Sequence, residues 1–401
     1  MNPPIITSLL DTDFYKFTMG NFAFKCYPDV KVKYAFKNRT TSVKLANFID
    51  TDELLYQLDC VASLRFTMDE LNYLEKMEFF SRDYLRFLNT LKMPPIYVDE
   101  EDGQLNIETE GNWSEAIFWE TFVLSIVNEM YYKHKSHYVP GYLGIYKDRL
   151  NKKIEIINQN PFSFLEFGTR RRYSKQVQDE VIWNLKERVS SSYFKGTSNV
   201  YFSKKYNLIP IGTMGHEAFM VLAGINDYNN DMLAISHDRM LYLWQCLYGK
   251  ELSIALTDTF GTDFFFKDFT KEKAEFWNGL RQDSGDPIEF GHKAIKFYKD
   301  KNIDPKKKVV IFSDGLNIDK ILELEKEFKN KILTSYGWGT NLTNDLGFAP
   351  LSIVMKAVEA NKRPLVKLSD NLAKSVGDKK TVENYKNLFV YNNTYTEPTL
   401  Y

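Results

Sequence analysis

Trp277-Asn278-Gly279-Leu280-Arg281-Gln282-Asp283-Ser284-Gly285-Asp286-Pro287 reads as a short apolar strand that stops at a charged turn and passes into a helix. Residues 277–280 supply the apolar run. Asp286 followed by Pro287 has the pattern of an N-cap with proline at the first helical position. Capping explains Asp286 but not Arg281 and Asp283, a cation and a carboxylate packed in front of it. The same grammar recurs from about residue 160 onward. Apolar runs at 162–167, 193–195, 208–211, 252–256, 309–312 and 332–336 are each followed by Gly, Asp, Ser, Thr, Arg or His. Helical stretches usually follow, such as Val177, Val181, Leu185 and Val189, whose apolar residues recur every four. This alternation predicts parallel strands joined by crossover helices. Roughly seven such units predict an irregular α/β barrel with its functional residues at the carboxyl ends of the strands, an open doubly wound sheet being the other arrangement the pattern allows.

Upstream of this region the pattern is mixed. Residues 12–24 read as a helix, and Val30, Val32, Tyr34 and Phe36 alternate as in a half-buried strand. Thr67 and Glu70 have capping-box spacing. Residues 96–110 read as a hairpin turning at Asp102-Gly103, and 114–133 as a long apolar helix interrupted by Glu120 and Glu129. We therefore expect an N-terminal α+β domain over 1–150 and an α/β barrel over 151–345. A C-terminal segment, 346–401, is expected to return to the first domain through two strands within 353–368 that turn at Asn361-Lys362. The lysines at 306–308 read as a solvated turn.

Composition narrows the function. Lys and Arg number 52 against 53 Asp and Glu, which leaves no positive excess to displace counterions from a nucleic acid. Any bound anion must be met by local charge. Cys26, Cys60 and Cys246 are odd in number and widely separated, as expected in a reducing compartment and not in a disulfide framework or zinc site. The N-terminus lacks a basic segment followed by an apolar stretch, and no apolar run approaches membrane-spanning length, so we expect a soluble cytoplasmic protein with no membrane partner.

The strand ends carry the chemistry. Phe167-Gly168-Thr169-Arg170-Arg171-Arg172 places three cations where a helix is expected to begin, an unfavourable site for positive charge unless an anion is near. Pairing with surface carboxylates accounts for one such arginine more comfortably than for three, and Arg170 is the candidate substrate contact. Gly212-Thr213-Met214-Gly215-His216-Glu217 puts His216 at a strand end. Alone it reads as a polar loop residue; in that position a neutral imidazole can be base or nucleophile. His134, His137, His237 and His292 have no comparable setting and no metal-ligand spacing. Ser313-Asp314-Gly315 adds a carboxylate suited to ribose hydroxyls or to the water shell of Mg²⁺, against the simpler reading of a turn aspartate. Gly337-Trp338-Gly339-Thr340 ends the last strand, where barrels often bind phosphate through backbone amides. No Walker-type loop occurs, so any nucleoside triphosphate must bind without one.

In this order, these blocks, with Gly196-Thr197-Ser198-Asn199, resemble the nicotinate phosphoribosyltransferases over almost the whole chain, from Leu10-Asp11-Thr12-Asp13-Phe14-Tyr15-Lys16 to Lys367-Leu368-Ser369-Asp370. The resemblance implies a type II phosphoribosyltransferase-like irregular barrel, its N-terminal domain completed by C-terminal strands. It implies nicotinate and 5-phosphoribosyl 1-pyrophosphate as substrates, ATP as co-substrate, Mg²⁺ as cofactor, and a role in NAD salvage. By the same likeness His216 matches the histidine phosphorylated by ATP. Arg281, Asp283 and Asp314 match the needs of the departing pyrophosphate and the oxocarbenium-like sugar, with Mg²⁺ held through substrate phosphates and Asp283 or Asp314. Phe167 and, from a neighbouring subunit, Tyr15 match the residues that sandwich the pyridine ring, with Arg170 near its substituent; such sharing implies a homodimer. Gly337, Gly339 and Thr340 match the 5-phosphate site, where Trp338 is an unusual residue.

Other readings compete with this one. Nicotinamide phosphoribosyltransferases share the barrel motifs but carry Gly-Thr-Asp where this chain has Gly196-Thr197-Ser198. An aspartate there would accept from a carboxamide and repel a carboxylate, whereas Ser198 can donate to one. A non-catalytic nucleotide-binding relative would show missing strand-end residues, and none is missing.

Overall fold

The computed structural model describes residues 1–136 and 141–398, so His137 lies outside the described residues. The chain divides into two compact units, residues 1–212 with 338–356, and residues 213–337 with 357–400.

In the first unit the opening helix runs Phe14–Cys26, with Phe17, Met19 and Phe22 fully buried. β1 (Lys31–Asn38) follows with Val32, Tyr34 and Phe36 turned inward, as the two-residue period of a strand dictates. β2 (Ile96–Glu101) and β3 (Gln104–Asn112) make the expected antiparallel hairpin. Asp102 and Gly103 both take positive φ, 51° and 74°, the geometry that lets a two-residue turn follow the twist of its strands. β3 also pairs with β1, Tyr34 opposite Thr109. The capping box forms in both directions, Glu70 N to Thr67 Oγ1 and Thr67 N to Glu70 Oε2. The helix expected over 114–133 is two pieces, Trp113–Ala116 and Trp119–Ser136.

β4 (Phe164–Glu166) and β5 (Phe194–Thr197) are parallel, Phe164 beside Phe194. Residues 208–211 do not form a strand. They contribute a single parallel bridge, Thr197 to Pro210, because proline has no N–H with which to continue a ladder. The helix expected directly after Gly168 is a single 3-10 turn, Thr169–Arg171, and the α-helix begins at Lys175 with Ser174 as its N-cap. Arg170, Arg171 and Arg172 therefore do not oppose a helix dipole; their anions are found elsewhere.

The second unit holds β6 (Ile254–Leu256), β7 (Gly279–Gln282), β8 (Val309–Phe312) and β9 (Leu333–Trp338), all parallel and adjacent in that order. Helices Pro287–Asp300 and Ile318–Phe328 connect β7 to β8 and β8 to β9. β7 starts later than the apolar run at 277–280 because Trp277 is buried as the C-cap of the helix Lys271–Phe276. Arg281 and Gln282 consequently belong to the strand, and only Asp283 stands past its end. Asp286 caps the next helix through Glu289 N with Pro287 first, as the sequence requires.

β10 (Ile353–Ala360) and β11 (Arg363–Pro364) turn at Asn361 and Lys362, with φ of 48° and 64°. Residues 353–356 of β10 belong to the first unit, where the strand order is β10-β1-β3-β2. The lysine run at 306–308 is only partly solvated: Lys308 is buried and donates to Trp277 O at 2.7 Å and Glu275 O at 3.1 Å. No helix among the described residues is long and apolar enough to cross a membrane.

Candidate active site

His216 opens the helix His216–Asn226 directly after the Gly215 N-cap, so its ring stands at the head of that helix. It is 7% exposed. Nδ1 lies 3.0 Å from Thr259 Oγ1, while Nε2 faces Asp283 Oδ2 and Lys367 Nζ, each at 2.9 Å, and Asp258 Oδ1 at 3.8 Å. Burial, helped by the Lys367 ammonium, pushes the imidazole pKa down to about 4 against the opposing pull of Asp258 and Asp283. The ring is neutral at pH 7, with a lone pair on one nitrogen.

Asp283 is the junction of this cluster. Its Oδ1 accepts from Arg281 Nη2 at 3.1 Å and from Ser313 Oγ at 3.0 Å, and its Oδ2 faces His216. Burial alone would raise its pKa, but Arg281, His216 and Lys374 hold the carboxyl well below the usual range. Arg281 is fixed in turn by Nη1 to Met214 O and Nε to Ser313 Oγ. Asp314 stands two residues past β8 and pairs with Lys374, whose Nζ also donates to Asp283 O at 2.8 Å. Burial outweighs that lysine and raises the Asp314 pKa.

Asp258, Lys367 and Lys374 escaped the sequence reading. Asp258 was findable, because Thr257-Asp258-Thr259 follows β6 as Arg281-Gln282-Asp283 occupies the end of β7. Lys367 left a fainter trace, one charge inside Leu365-Val366-Lys367-Leu368. His216, Asp258 and Asp283 bring ligand-type atoms within 4.8 Å of one another, and Asp258 Oδ1 is buried with no hydrogen-bond partner. Two carboxylates with an unsatisfied oxygen fit a hard divalent cation bound with substrate phosphates.

The remaining candidates lie in the first unit. Arg170 Nε is 3.3 Å from Asp13 Oδ2, and its Nη1 is 3.6 Å from Glu120 Oε1. Its guanidinium lies over the Tyr15 ring of the same chain, 5.6 Å from the centroid. Glu120, which in the sequence only interrupts an apolar helix, takes Lys16 Nζ at 2.5 Å and Tyr15 Oη at 3.3 Å on its other oxygen. Arg172 makes a fully buried bidentate pair with Asp11, 2.6 and 3.0 Å, and is structural. Arg171 donates through Nε to Ile353 O.

Ser198 donates its hydroxyl to Asp13 Oδ1 at 2.7 Å, and Asp13 is 2% exposed with its pKa raised by burial. The serine proton is thus directed at a neighbouring carboxylate. Phe167 is half-buried beyond β4, its N–H donating to Trp338 O at 2.8 Å. Gly337 lies buried inside β9, and Gly339 precedes the short turn of helix Thr340–Thr343. A Cβ on Gly339 would meet Phe167 O at 3.2 Å, so glycine permits this close approach. Trp338 is fully buried, edge-on to Phe164, and is a core residue.

Of the other histidines, His237 is buried beside Asp268 and stacked on Phe219, His134 packs edge-on to Phe48, and His292 pairs with Glu327.

Known proteins resemble this chain over nearly its whole length. The nicotinate phosphoribosyltransferase (NAPRTase) family profile matches residues 162–393, and that of its N-terminal domain matches 10–128. Nicotinate phosphoribosyltransferases of Burkholderia mallei and Acinetobacter baumannii are 38% and 39% identical over 390 and 398 residues, covering 95% of this chain and 96% of theirs. The crystal structure of the Porphyromonas gingivalis enzyme of that name superposes with a TM-score of 0.87 at 32% identity, covering 96% of this chain and all of the other. That of the Vibrio cholerae enzyme gives 0.88 at 34%, covering 98% and 95%. The fold is that of the type II phosphoribosyltransferases. The chain belongs to the nicotinate phosphoribosyltransferase family and is an enzyme of NAD biosynthesis.

Proposed function

We propose that the chain makes nicotinate mononucleotide and pyrophosphate from nicotinate and 5-phosphoribosyl 1-pyrophosphate, coupled to ATP hydrolysis through a phosphohistidine at His216. The observation that carries this reading is the neutral, buried imidazole held by Thr259 with Asp283 and Lys367 at its far nitrogen. A neutral nitrogen can attack a γ-phosphorus, and Lys367 offers a cation to the transferred phosphoryl group. Mg²⁺, bound with substrate phosphates and with Asp283, Asp314 or Asp258, would neutralise charge on the departing pyrophosphate. Arg281 supports the same charge, and the carboxylates favour the positive sugar. Gly337, Gly339 and Thr340 receive the 5-phosphate. Phe167 and Tyr15 pack the flat ring, and Arg170 meets its carboxylate. We assign the cytoplasm as the site of action and a homodimer, with Tyr15 shared between subunits, as the assembly.

A nicotinamide reading finds less support. Aspartate at position 198 would stand against Asp13, two carboxylates at hydrogen-bond distance, whereas serine donates there. Selection against the amide then rests on the charge of the surroundings more than on a direct serine contact.

His216→Ala is expected to abolish ATP hydrolysis and ATP stimulation while leaving slow, ATP-independent transfer, reduced by about tenfold or more. Phosphate release from ATP reads the first effect and pyrophosphate release with nicotinate, with and without ATP, reads the second; undiminished ATP stimulation in the variant removes His216 from the coupling. In the unaltered protein the histidine is deprotonated above its lowered pKa, so ATP hydrolysis should show no protonation of His216 between about pH 6 and 8. An acid limb of ATP hydrolysis centred on the ordinary histidine value would contradict this.

A further inference from the structure

We propose that Lys356 is a specificity-determining residue that, with Arg170, makes the ring pocket select a monoanionic pyridine over a neutral one. The inference rests on Arg170 meeting the substrate carboxylate, and it adds a second cation that neither the motifs nor the strand-end rule singles out.

The geometry is a division of labour on Glu120. Its Oε2 serves the interior, taking Lys16 Nζ at 2.5 Å and Tyr15 Oη at 3.3 Å, with the Lys16 side chain wholly buried. Its Oε1 serves two partly exposed cations, Lys356 Nζ at 3.4 Å and Arg170 Nη1 at 3.6 Å. Those two side chains are 27% and 30% exposed, while Glu120 is 4% exposed. One oxygen thus joins Lys356 to Arg170, whose Nε also faces Asp13 Oδ2, at distances longer than a tight charged hydrogen bond, and both cations are open in part to solvent.

Charge points the same way. Three cations, Lys16, Arg170 and Lys356, gather on the one carboxylate of Glu120. Ser198 adds none. A substrate carboxylate is drawn to that concentration of positive charge and a neutral carboxamide is not. Burial would raise the Glu120 pKa, yet Lys16, Lys356 and Arg170 together hold it below the usual range, so its negative charge is present at pH 7. Lys356 arrives from β10, far along the chain from Arg170, and so left no local motif.

The alternative is that Lys356 only neutralises Glu120 and anchors β10. Steady-state kinetics of Lys356→Gln, Lys356→Arg and Arg170→Gln, each with melting temperature, separate the two. Lys356→Gln is expected to raise KM for nicotinate about tenfold, with kcat at saturating nicotinate and KM for phosphoribosyl pyrophosphate each within about threefold. The inhibition constant of nicotinamide as a competitor should stay within about twofold, and Lys356→Arg should restore the nicotinate KM. A nicotinate KM unchanged in Lys356→Gln, while Arg170→Gln raises it, overturns the role of Lys356 alone. If Arg170→Gln also leaves it unchanged, the assignment of the ring pocket itself fails. Parallel loss toward nicotinate, nicotinamide and phosphoribosyl pyrophosphate with a lowered melting temperature, not rescued by arginine, overturns the proposal in favour of the anchoring role.

Discussion

Asp283→Asn is expected to cut kcat by about 10²- to 10³-fold, the scale on which loss of one aligned electrostatic partner acts in an active site. Asp283 touches Arg281, Ser313 and His216 at once. An amide in its place must turn its NH₂ either toward Arg281, setting donor against donor, or toward His216 Nε2, putting a donor where the carboxylate offered an acceptor. Both outcomes disable a group the transfer needs, and the lost negative charge can no longer balance Arg281 and Lys374 beside the sugar. Pyrophosphate release at saturating substrates measures the loss, and the melting temperature should fall by only a few degrees. An unchanged kcat would remove Asp283 from the machinery; a collapse in stability matching the loss of rate would make it structural.

Arg172→Met carries the largest expected effect on stability, about 3–5 kcal/mol, the cost of leaving a buried charge without its partner. Arg172 and Asp11 are both wholly buried, and the guanidinium meets both carboxylate oxygens. Burial alone would raise the Asp11 pKa, but Arg172 and Lys175 outweigh it and hold the carboxyl below the ordinary carboxylate range. Without Arg172, only Lys175 at 3.3 Å and the Asn199 amide remain. Thermal unfolding at pH 7 reads the effect. The sign with pH follows from the lowered pKa: the native Asp11 binds its proton more weakly than the unfolded one, so its contribution is present above the unfolded value near 4 and is lost as pH falls through the native one. A melting temperature unchanged by the substitution would show that the pair contributes nothing.

The strand-and-helix alternation was legible because hydrophobic period, caps and turns are local. The hairpins at Asp102-Gly103 and Asn361-Lys362, the cap at Asp286 and the capping box at Thr67 each lie within a few residues, and each formed as expected. The misreadings also have local causes. Pro210 removed a strand that its apolar neighbours advertised, and Trp277 spent its bulk on ending a helix, which moved β7 onward and put Arg281 inside it.

The residues His216, Arg281, Asp283 and Asp314 could be picked from the chain because each stands at the end, or just past the end, of a parallel strand or at the head of the helix that follows. Their partners could not. Lys367 reaches His216 across 151 residues and Lys374 reaches Asp314 across 60, while Glu120 gathers Lys16, Arg170 and Lys356 from three separate stretches. Type and order of the elements follow from neighbours along the chain. Which charges compensate one another, and therefore which histidine stays neutral and which arginine is structural, depends on distance in a low-dielectric interior, and only the folded chain sets that distance.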